Sequence, residues 1–152
     1  MTIHFSSDIR RFNHLISETD AAYHEMSLKL GLSDSAMQIL YTLCGNEDGS
    51  CLLREICSLT GLSRQTVHSA VRNLERDGIL RLEMAGGKRK KVILTEKGLL
   101  LAGRTAGRVI EAENRIFAGW PREDVETYLE LTRRYLEDLR RESRNFQSVQ
   151  ES

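Results

Sequence analysis

Side chains that could hydrogen-bond to the bases of nucleic acid repeat along residues 63–77. Helical spacing i, i+3, i+4, i+7 is occupied there by apolar residues, namely Val67, Ala70, Val71 and Leu74, which predicts a helix with a narrow buried stripe. The face opposite the stripe carries polar residues and no acid: Gln65, Ser69, Arg72 and Arg76. In the major groove of duplex DNA, glutamine can pair with adenine, arginine with guanine, and serine with either.

The first turn of such a helix usually reaches the bases, whereas residues further along more often meet phosphates. Ser63 is placed to cap the helix, and Arg72 and Arg76 lie far enough along it for phosphate contact. Taken alone, the pattern is equally typical of an ordinary amphipathic helix with a solvated face. The candidate DNA-binding residues of this helix are Ser63, Arg64, Gln65, Thr66, His68, Ser69, Arg72 and Arg76.

A second cluster of charge follows two glycines in the segment AGGKRKK. Its consecutive cations are Lys88, Arg89, Lys90 and Lys91. A glycine-rich tip can approach a DNA backbone closely, and cations there can neutralise phosphates or enter a narrow minor groove. A solvated, solubilising hairpin is the alternative, but adjacent like charges repel one another, which favours a polyanionic partner.

The elements around these residues predict a helix-turn-helix followed by a hairpin. Residues 53–60 form a short helix, Gly61 permits a tight turn, and the helix from Ser63 ends at Gly78. Residues 79–84 alternate in polarity like a half-buried strand, 85–90 form a turn, and 91–94 return as a second strand.

Longer helices flank this region. We expect one over 7–30, another from Ser33 to Gly45, a continuous one over 95–118 and a last one over 121–142, with a polar tail from Ser143. Three glycines, Gly98, Gly103 and Gly107, either weaken the third of these or permit close packing. The predicted division is an N-terminal dimerisation helix (1–32), a DNA-binding region (33–95), and C-terminal dimerisation helices with the tail (96–152).

Charge is unevenly distributed along a chain of 152 residues whose net charge is zero. Residues 63–97 hold nine Lys/Arg against four Asp/Glu, a net of +5, which suggests one face for a polyanion. No apolar run could span a membrane and the N-terminus lacks a signal-peptide pattern, so a cytoplasmic protein without a membrane partner is predicted. No motif of an enzyme or of a cofactor site is found.

With these residues in view, the chain resembles the multiple antibiotic resistance regulator (MarR) family of winged-helix transcription factors. The resemblance spans nearly the whole length and is strongest in LTGLSRQTVHSAVRNLERDGIL (59–80) and VILTEKG (92–98). It implies a mainly α fold with a small β-hairpin, a winged helix-turn-helix, and long N- and C-terminal helices that interlock in a homodimer. The wing of that family often carries a bracing Asp-x-Arg pair, which this wing lacks, so a wing that is more mobile, or that becomes ordered only on DNA, is expected.

The resemblance also implies a transcription regulator whose DNA binding is weakened by a small-molecule inducer or an oxidant. A repressor released by a small ligand is the leading hypothesis, although the sequence does not separate a repressor from an activator. Two-fold symmetry of a dimer then predicts a roughly palindromic operator in double-stranded DNA. A ligand pocket between the first two helices is one hypothesis, with Tyr23, Met26, Met37 and Tyr41 as its lining; packing in a core or a dimer interface is the other.

Other functions have weaker support. Among the three cysteines, Cys57 lies on an apolar helix face, Cys44 ends a helix, and Cys51, near Arg54, is the best candidate for redox sensing. The four histidines are scattered, so no metal site is predicted. A winged-helix protein-interaction module that does not bind DNA remains the alternative to a DNA-binding regulator.

Overall fold

The computed structural model of the chain describes residues 2–147. It contains helices α1 to α7 and strands β1 to β3, which form a winged helix-turn-helix with flanking helices. In chain order they are α1 (Ser7–Lys29), α2 (Asp34–Cys44), β1 (Ser50–Leu52), α3 (Leu53–Thr60), α4 (Arg64–Arg76), β2 (Leu80–Met84), β3 (Lys90–Leu94), α5 (Glu96–Arg104), α6 (Ala106–Ala118) and α7 (Arg122–Arg144).

Hydroxyl side chains fix where the predicted helices begin. Ser6, Ser33, Ser63 and Thr95 each accept a hydrogen bond from the backbone N–H three residues later, at 3.0–3.2 Å. Such a bond satisfies one of the N–H groups that the first turn of a helix leaves without a partner. The predicted starts of α1, α2, α4 and α5 are therefore confirmed.

The core lies where α2, α3 and α4 meet the small sheet. Its fully buried side chains are Ile39, Leu40, Leu43, Ile56, Val67, Leu80 and Val92. On α4 all members of the predicted apolar stripe are buried, so the opposite face of this helix is turned to solvent. A hydrogen bond between His24 Nδ1 and Asp34 Oδ2, at 2.7 Å, joins α1 to the start of α2.

The sheet has three antiparallel strands in the order β1-β3-β2, one strand more than predicted. Ser50 pairs with Ile93 and Leu52 with Lys91, so β1 lies against the outer side of β3. The sequence did not predict β1, because three residues whose partners lie about forty positions away leave no local period to detect. The hairpin of β2 and β3 itself is confirmed, although Lys90 belongs to the strand rather than to the turn.

The continuous helix predicted over 95–118 is wrong, since the chain divides at Thr105 into α5 and α6. The N–H of Thr105 bonds to the carbonyl of Ala102, and its hydroxyl donates to the carbonyl of Leu101 at 2.7 Å. A threonine hydroxyl bonded four residues back competes with the backbone ladder and bends helices.

By its contacts the chain divides between Glu111 and Ala112 into two compact units. The second holds the end of α6 and all of α7, which begins one residue after Pro121 and continues two residues beyond the predicted end at 142. Its aromatic rings cluster: Phe117, Trp120 and Tyr128 have centroids 5.5–6.2 Å apart. Residues 148–152 of the predicted tail lie outside the described residues.

Candidate nucleic-acid interface

Helix α4 presents the predicted polar face to solvent. Gln65, Ser69, Arg72 and Arg76 are all exposed, and so are Arg64 and His68 in the first half of the helix. The face exists because the apolar stripe on the other side is drawn into the core, and the helix is long enough to project from it. The structure thus leaves these side chains accessible to a partner.

Two residues at the start of α4 are already engaged with each other. Ser63 Oγ accepts from the N–H of Thr66 at 3.1 Å and lies 2.8 Å from Thr66 Oγ1. These hydroxyls hold the first turn in place, which leaves Arg64 and Gln65 as the first side chains that extend outward. At the other end, Arg76 donates to Asn73 Oδ1 at 3.1 Å and its Nε lies 4.0 Å from Asp77, so its charge is partly offset.

The tip of the β2–β3 hairpin is a tight turn. The N–H of Ala85 donates to the carbonyl of Arg89 at 2.9 Å, and Gly86 and Gly87 adopt φ values of +98° and +60°. Residues with a Cβ rarely adopt such angles, so the two glycines allow the turn. The turn leaves Lys88, Arg89 and Lys90 exposed at the tip.

These tip cations share a groove with the helix-turn-helix, which we call the wing groove. It measures about 650 Å³ and is lined by Leu52, Leu53, Arg54, Cys57, Ser58, Arg64, His68, Lys88, Arg89 and Lys90. Its lining includes five Lys/Arg and no acid. Because the charges come from α3, α4 and the hairpin together, their fields add in one concave site, where a polyanion gains most.

Arg54 is a member of the wing groove that the sequence did not mark as part of the site. It lies on α3, outside the basic stretch 63–97, and only the packing of α3 beside the hairpin brings it to the other cations. Lys91 was predicted to act with the tip cations, but it does not line the wing groove. Its Nζ lies 3.4 Å from Asp48 Oδ2 instead.

A second groove of about 500 Å³ follows the other side of α4, facing the start of α2. Gln65, Thr66, Ser69 and Asn73 line it from α4, and Ser33 and Ser35 line it from α2. Its lining includes one acid, Asp77, and no Lys or Arg. Helix α4 is therefore flanked by a cationic groove on one side and a hydrogen-bonding groove on the other.

The four residues of the hypothesised ligand pocket have different surroundings. Met37 is buried in the core and Met26 packs against it, whereas Tyr23 and Tyr41 are partly exposed. Core packing accounts for the two methionines, and the pocket itself stays a prediction.

Cys51, the best redox candidate of the sequence, is poorly suited to that role. It is only 5% exposed and its Sγ lies 3.5 Å from Glu55 Oε2. Burial, reinforced by the neighbouring Glu55 carboxylate, raises the pKa of the Cys51 thiol to about 11. Since the thiolate is the reactive form, this thiol is expected to react slowly near neutral pH.

Within residues 2–147, no group of three or more His, Cys, Asp or Glu side chains is arranged to hold a metal ion. In the same part of the chain, no helix has the length and apolar character needed to cross a membrane.

Part of the chain matches a known protein family. Residues 30–91, which include α2, the helix-turn-helix and most of the hairpin, match the model of the MarR family. The predicted resemblance is thereby confirmed over the segment that holds both grooves.

Solved MarR-family structures match a longer part of the chain. A MarR family regulator from Neisseria meningitidis has a TM-score of 0.77 at 18% identity, covering 93% of this chain and 100% of its own. A MarR family transcriptional regulator from Streptomyces coelicolor in complex with DNA has a TM-score of 0.69 at 19% identity, covering 91% of this chain and 92% of its own. The PcaV transcriptional regulator from the same organism, in complex with its natural ligand, has a TM-score of 0.64 at 19% identity, covering 89% of this chain and 98% of its own.

At these identities the likeness shows the fold, which is that of MarR-family winged-helix structures. Among curated protein sequences, none matches this chain.

Proposed function

We propose that this chain is a sequence-specific, duplex-DNA-binding transcription regulator. The observation that carries the proposal is the wing groove, in which five cations from α3, α4 and the hairpin surround a site beside the exposed polar face of α4. A DNA backbone needs cations in a concave row, and the adjacent major groove needs hydrogen-bonding side chains on a projecting helix. The two requirements meet within one MarR-family segment.

Each side of α4 takes a separate task in this proposal. Arg54, Arg64, Lys88, Arg89 and Lys90 neutralise phosphates in the wing groove, which sets the register of the protein on the duplex without reading sequence. Gln65 and Ser69, which line the groove that has no Lys or Arg, read base edges. Ser63 and Thr66 hold the start of the helix, and Arg72 and Arg76 meet the backbone further along.

The solved relatives support a regulator that responds to a ligand, since one is bound to DNA and another to its natural ligand. By this analogy the chain acts as a cytoplasmic repressor that a small molecule releases from its operator, and it performs no catalysis. Tyr23, Met26, Met37 and Tyr41 remain the proposed surroundings of that ligand.

Helix α7 supports the proposal of a homodimer. One side of it carries ion pairs, including Arg133 with Glu130 and Glu137 at 2.5 Å each and Arg141 with Asp138 at 3.0 Å. The other side leaves large apolar residues exposed, namely Tyr128, Leu129, Leu131, Tyr135, Leu136 and Leu139. An amphipathic helix with an exposed apolar side needs a partner surface. We assign residues 1–32 and 96–152 to dimerisation and 33–95 to DNA binding.

Replacing Leu129 and Leu136 by glutamine should shift the protein from dimer to monomer, because both lie on the exposed apolar side of α7. Sedimentation or light scattering at a fixed protein concentration measures the change. Arg134→Gln with Arg141→Gln is the matched control: the spacing and the new residue are the same, but at 100° per residue these positions lie on the far side of α7. If the molar mass in solution fell equally in both variants, a dimer formed through the apolar side of α7 would be contradicted.

The test of the function itself is selection of bound duplexes from a random DNA pool, followed by titration of the selected duplex at two salt concentrations. We expect a roughly palindromic motif, with half-sites centred about 34–36 Å apart as two-fold symmetry requires, and steep salt dependence. No enrichment, with the protein folded and dimeric, would reject sequence-specific binding and favour a protein-interaction module.

Gln65→Ala should relax the preference for one base per half-site by about 1–3 kcal/mol, because an alanine cannot reproduce a bidentate pair with adenine. Competition among operator variants measures the preference. Asn73→Ala is the control from the same groove, about two turns further along α4. Uniform weakening on all sequences would make Gln65 a positioning residue instead.

A further inference from the structure

Lys91 differs from the three cations that precede it in the hairpin. Lys88, Arg89 and Lys90 line the wing groove, whereas Lys91 does not. The Lys91 side chain is 38% exposed, and its Nζ lies 3.4 Å from the carboxylate of Asp48 in the turn before β1. Its cross-strand neighbour on β2, Glu83, forms an ion pair with Arg81. Lys91 thus contacts the turn before β1, on the side of β3 that faces away from β2.

The carboxylate that receives Lys91 is held firmly. Asp48 accepts from the N–H of Ser50 at 3.1 Å and from its hydroxyl at 2.6 Å. Asn46 donates to the carbonyl of Ser50 at 2.6 Å, so the turn is closed by its own side chains. The hydroxyl of Ser50, with a smaller contribution from Lys91, holds the pKa of Asp48 below its usual value. Asp48 is thus an ionised acceptor at neutral pH, oriented by its two hydrogen bonds to Ser50.

This turn is continuous with the strand that carries the wing. Strand β1 pairs with β3 from Ser50–Ile93 to Leu52–Lys91, and the N–H of Leu94 donates to the carbonyl of Gly49 at 3.0 Å. Lys91 is the last residue of β3, on the way to the tip, that pairs with β1, and its side chain contacts Asp48 in the turn before β1. Because Lys91 directly follows Lys90, a contact that holds Lys91 acts on the strand that carries the tip cations.

We propose that Asp48 and Lys91 form a brace that positions the wing, and that Lys91 is a positioning residue rather than a phosphate contact. The inference rests on the proposed DNA binding. It also gives a physical role to the turn 46–50, and it replaces the mobile wing expected from the absence of an Asp-x-Arg pair. An ion pair this exposed adds little to folding stability. We therefore expect the loss of the Lys91–Asp48 contact to change the position of the tip cations, and with it DNA affinity, rather than the free energy of unfolding.

The decisive measurement compares Lys91→Ala with Lys90→Ala in titrations of the full-length protein on its selected duplex from 50 to 300 mM salt. Loss of a phosphate contact lowers the slope of log K against log salt by about 0.9. We expect that change for Lys90→Ala. For Lys91→Ala we expect an unchanged slope and a parallel loss of affinity, about two- to fivefold per protomer, the size of an exposed ion pair.

Asp48→Asn completes the test. Alone it should weaken binding to the same degree as Lys91→Ala, and in the Lys91→Ala background it should have no further effect, because the brace is already absent. Stronger binding with a steeper slope for Asp48→Asn would overturn the proposal, since it would mean that Asp48 only screens a lysine that contacts DNA.

Failure of the brace and failure of DNA binding by the wing give different results. A reduced slope for Lys91→Ala, equal to that of Lys90→Ala, overturns the brace while leaving DNA binding by the wing intact. If neither lysine variant changes the slope or the affinity, the brace is overturned, and a wild-type slope after the joint replacement of Lys88, Arg89 and Lys90 would then mean that the proposed function fails at the wing. Thermal unfolding of each variant at one protein concentration identifies any loss of affinity that comes from unfolding.

Discussion

Replacing Lys88, Arg89 and Lys90 together by alanine should flatten the salt dependence of duplex binding and weaken binding to every sequence. All three cations line the wing groove, where Arg54 and Arg64 face the same space. Each phosphate contact that is lost lowers the slope of log K against log salt by about 0.9, because fewer counterions are released. For three contacts we expect a loss of more than about tenfold per protomer at moderate salt, measured by fluorescence anisotropy over a salt series.

Net charge must be matched for this result to be specific. Arg134, Arg141 and Arg144 on α7 provide a control, because their replacement by alanine removes the same charge from exposed positions outside the groove. The control should keep the wild-type slope, since long-range attraction alone does not release the counterions of bound phosphates. A wild-type slope in the wing variant would instead remove the wing from the interface and favour the protein-interaction module.

Local rules of the chain predicted the helices of the DNA-binding region well. Ser63 caps α4, the stripe from Val67 to Leu74 is buried, and the opposite face is exposed as expected. Capping and helical period depend on residues within four positions of each other, so one sequence contains all the information needed. The same holds for the glycine-led turn at the tip of the hairpin.

What the sequence did not predict depends on distant residues. Strand β1 exists only through β3, and Arg54 joins the wing groove only because α3 packs beside the hairpin. Lys91 contacts Asp48, which is 43 positions away in the sequence. Nothing near Lys91 in the sequence therefore distinguished it from Lys88, Arg89 and Lys90. These features depend on which elements meet in space, which no local pattern specifies.

The break at Thr105 was only partly predictable from local sequence. A threonine between Gly103 and Gly107 is a local signal for a bend, but glycines and threonines also occur in straight helices. The three glycines of this region were left with two explanations, weakness or close packing. The structure separates them, because a Cβ at Gly98 meets the backbone while one at Gly103 meets nothing within 4 Å.

Gly98→Ala should therefore destabilise the protein strongly. A Cβ at this position would lie 2.1 Å from the carbonyl oxygen of Ile79 and 3.2 Å from Leu94 Cδ2. The carbonyl cannot easily retreat, since it accepts from both the N–H and the hydroxyl of Thr95 at 3.0 and 3.1 Å. Overpacking of this kind costs about 1–3 kcal/mol and occasionally more, and the contact with rigid backbone places Gly98→Ala at the upper end.

Gly103→Ala is the matched control, made on the same helix with the same substitution. Because the added methyl group has open space and alanine favours helix over glycine, its free energy of unfolding should rise by up to about 1 kcal/mol. Urea unfolding of both variants at equal protein concentration gives the comparison, since the stability of a dimer depends on concentration. If both variants were destabilised equally, the cost would come from placing alanine anywhere on α5 and not from the contact of residue 98 with Ile79. A wild-type midpoint for Gly98→Ala would mean that α5 can shift away from Ile79, and the close contact would then not hold α5 against the end of α4.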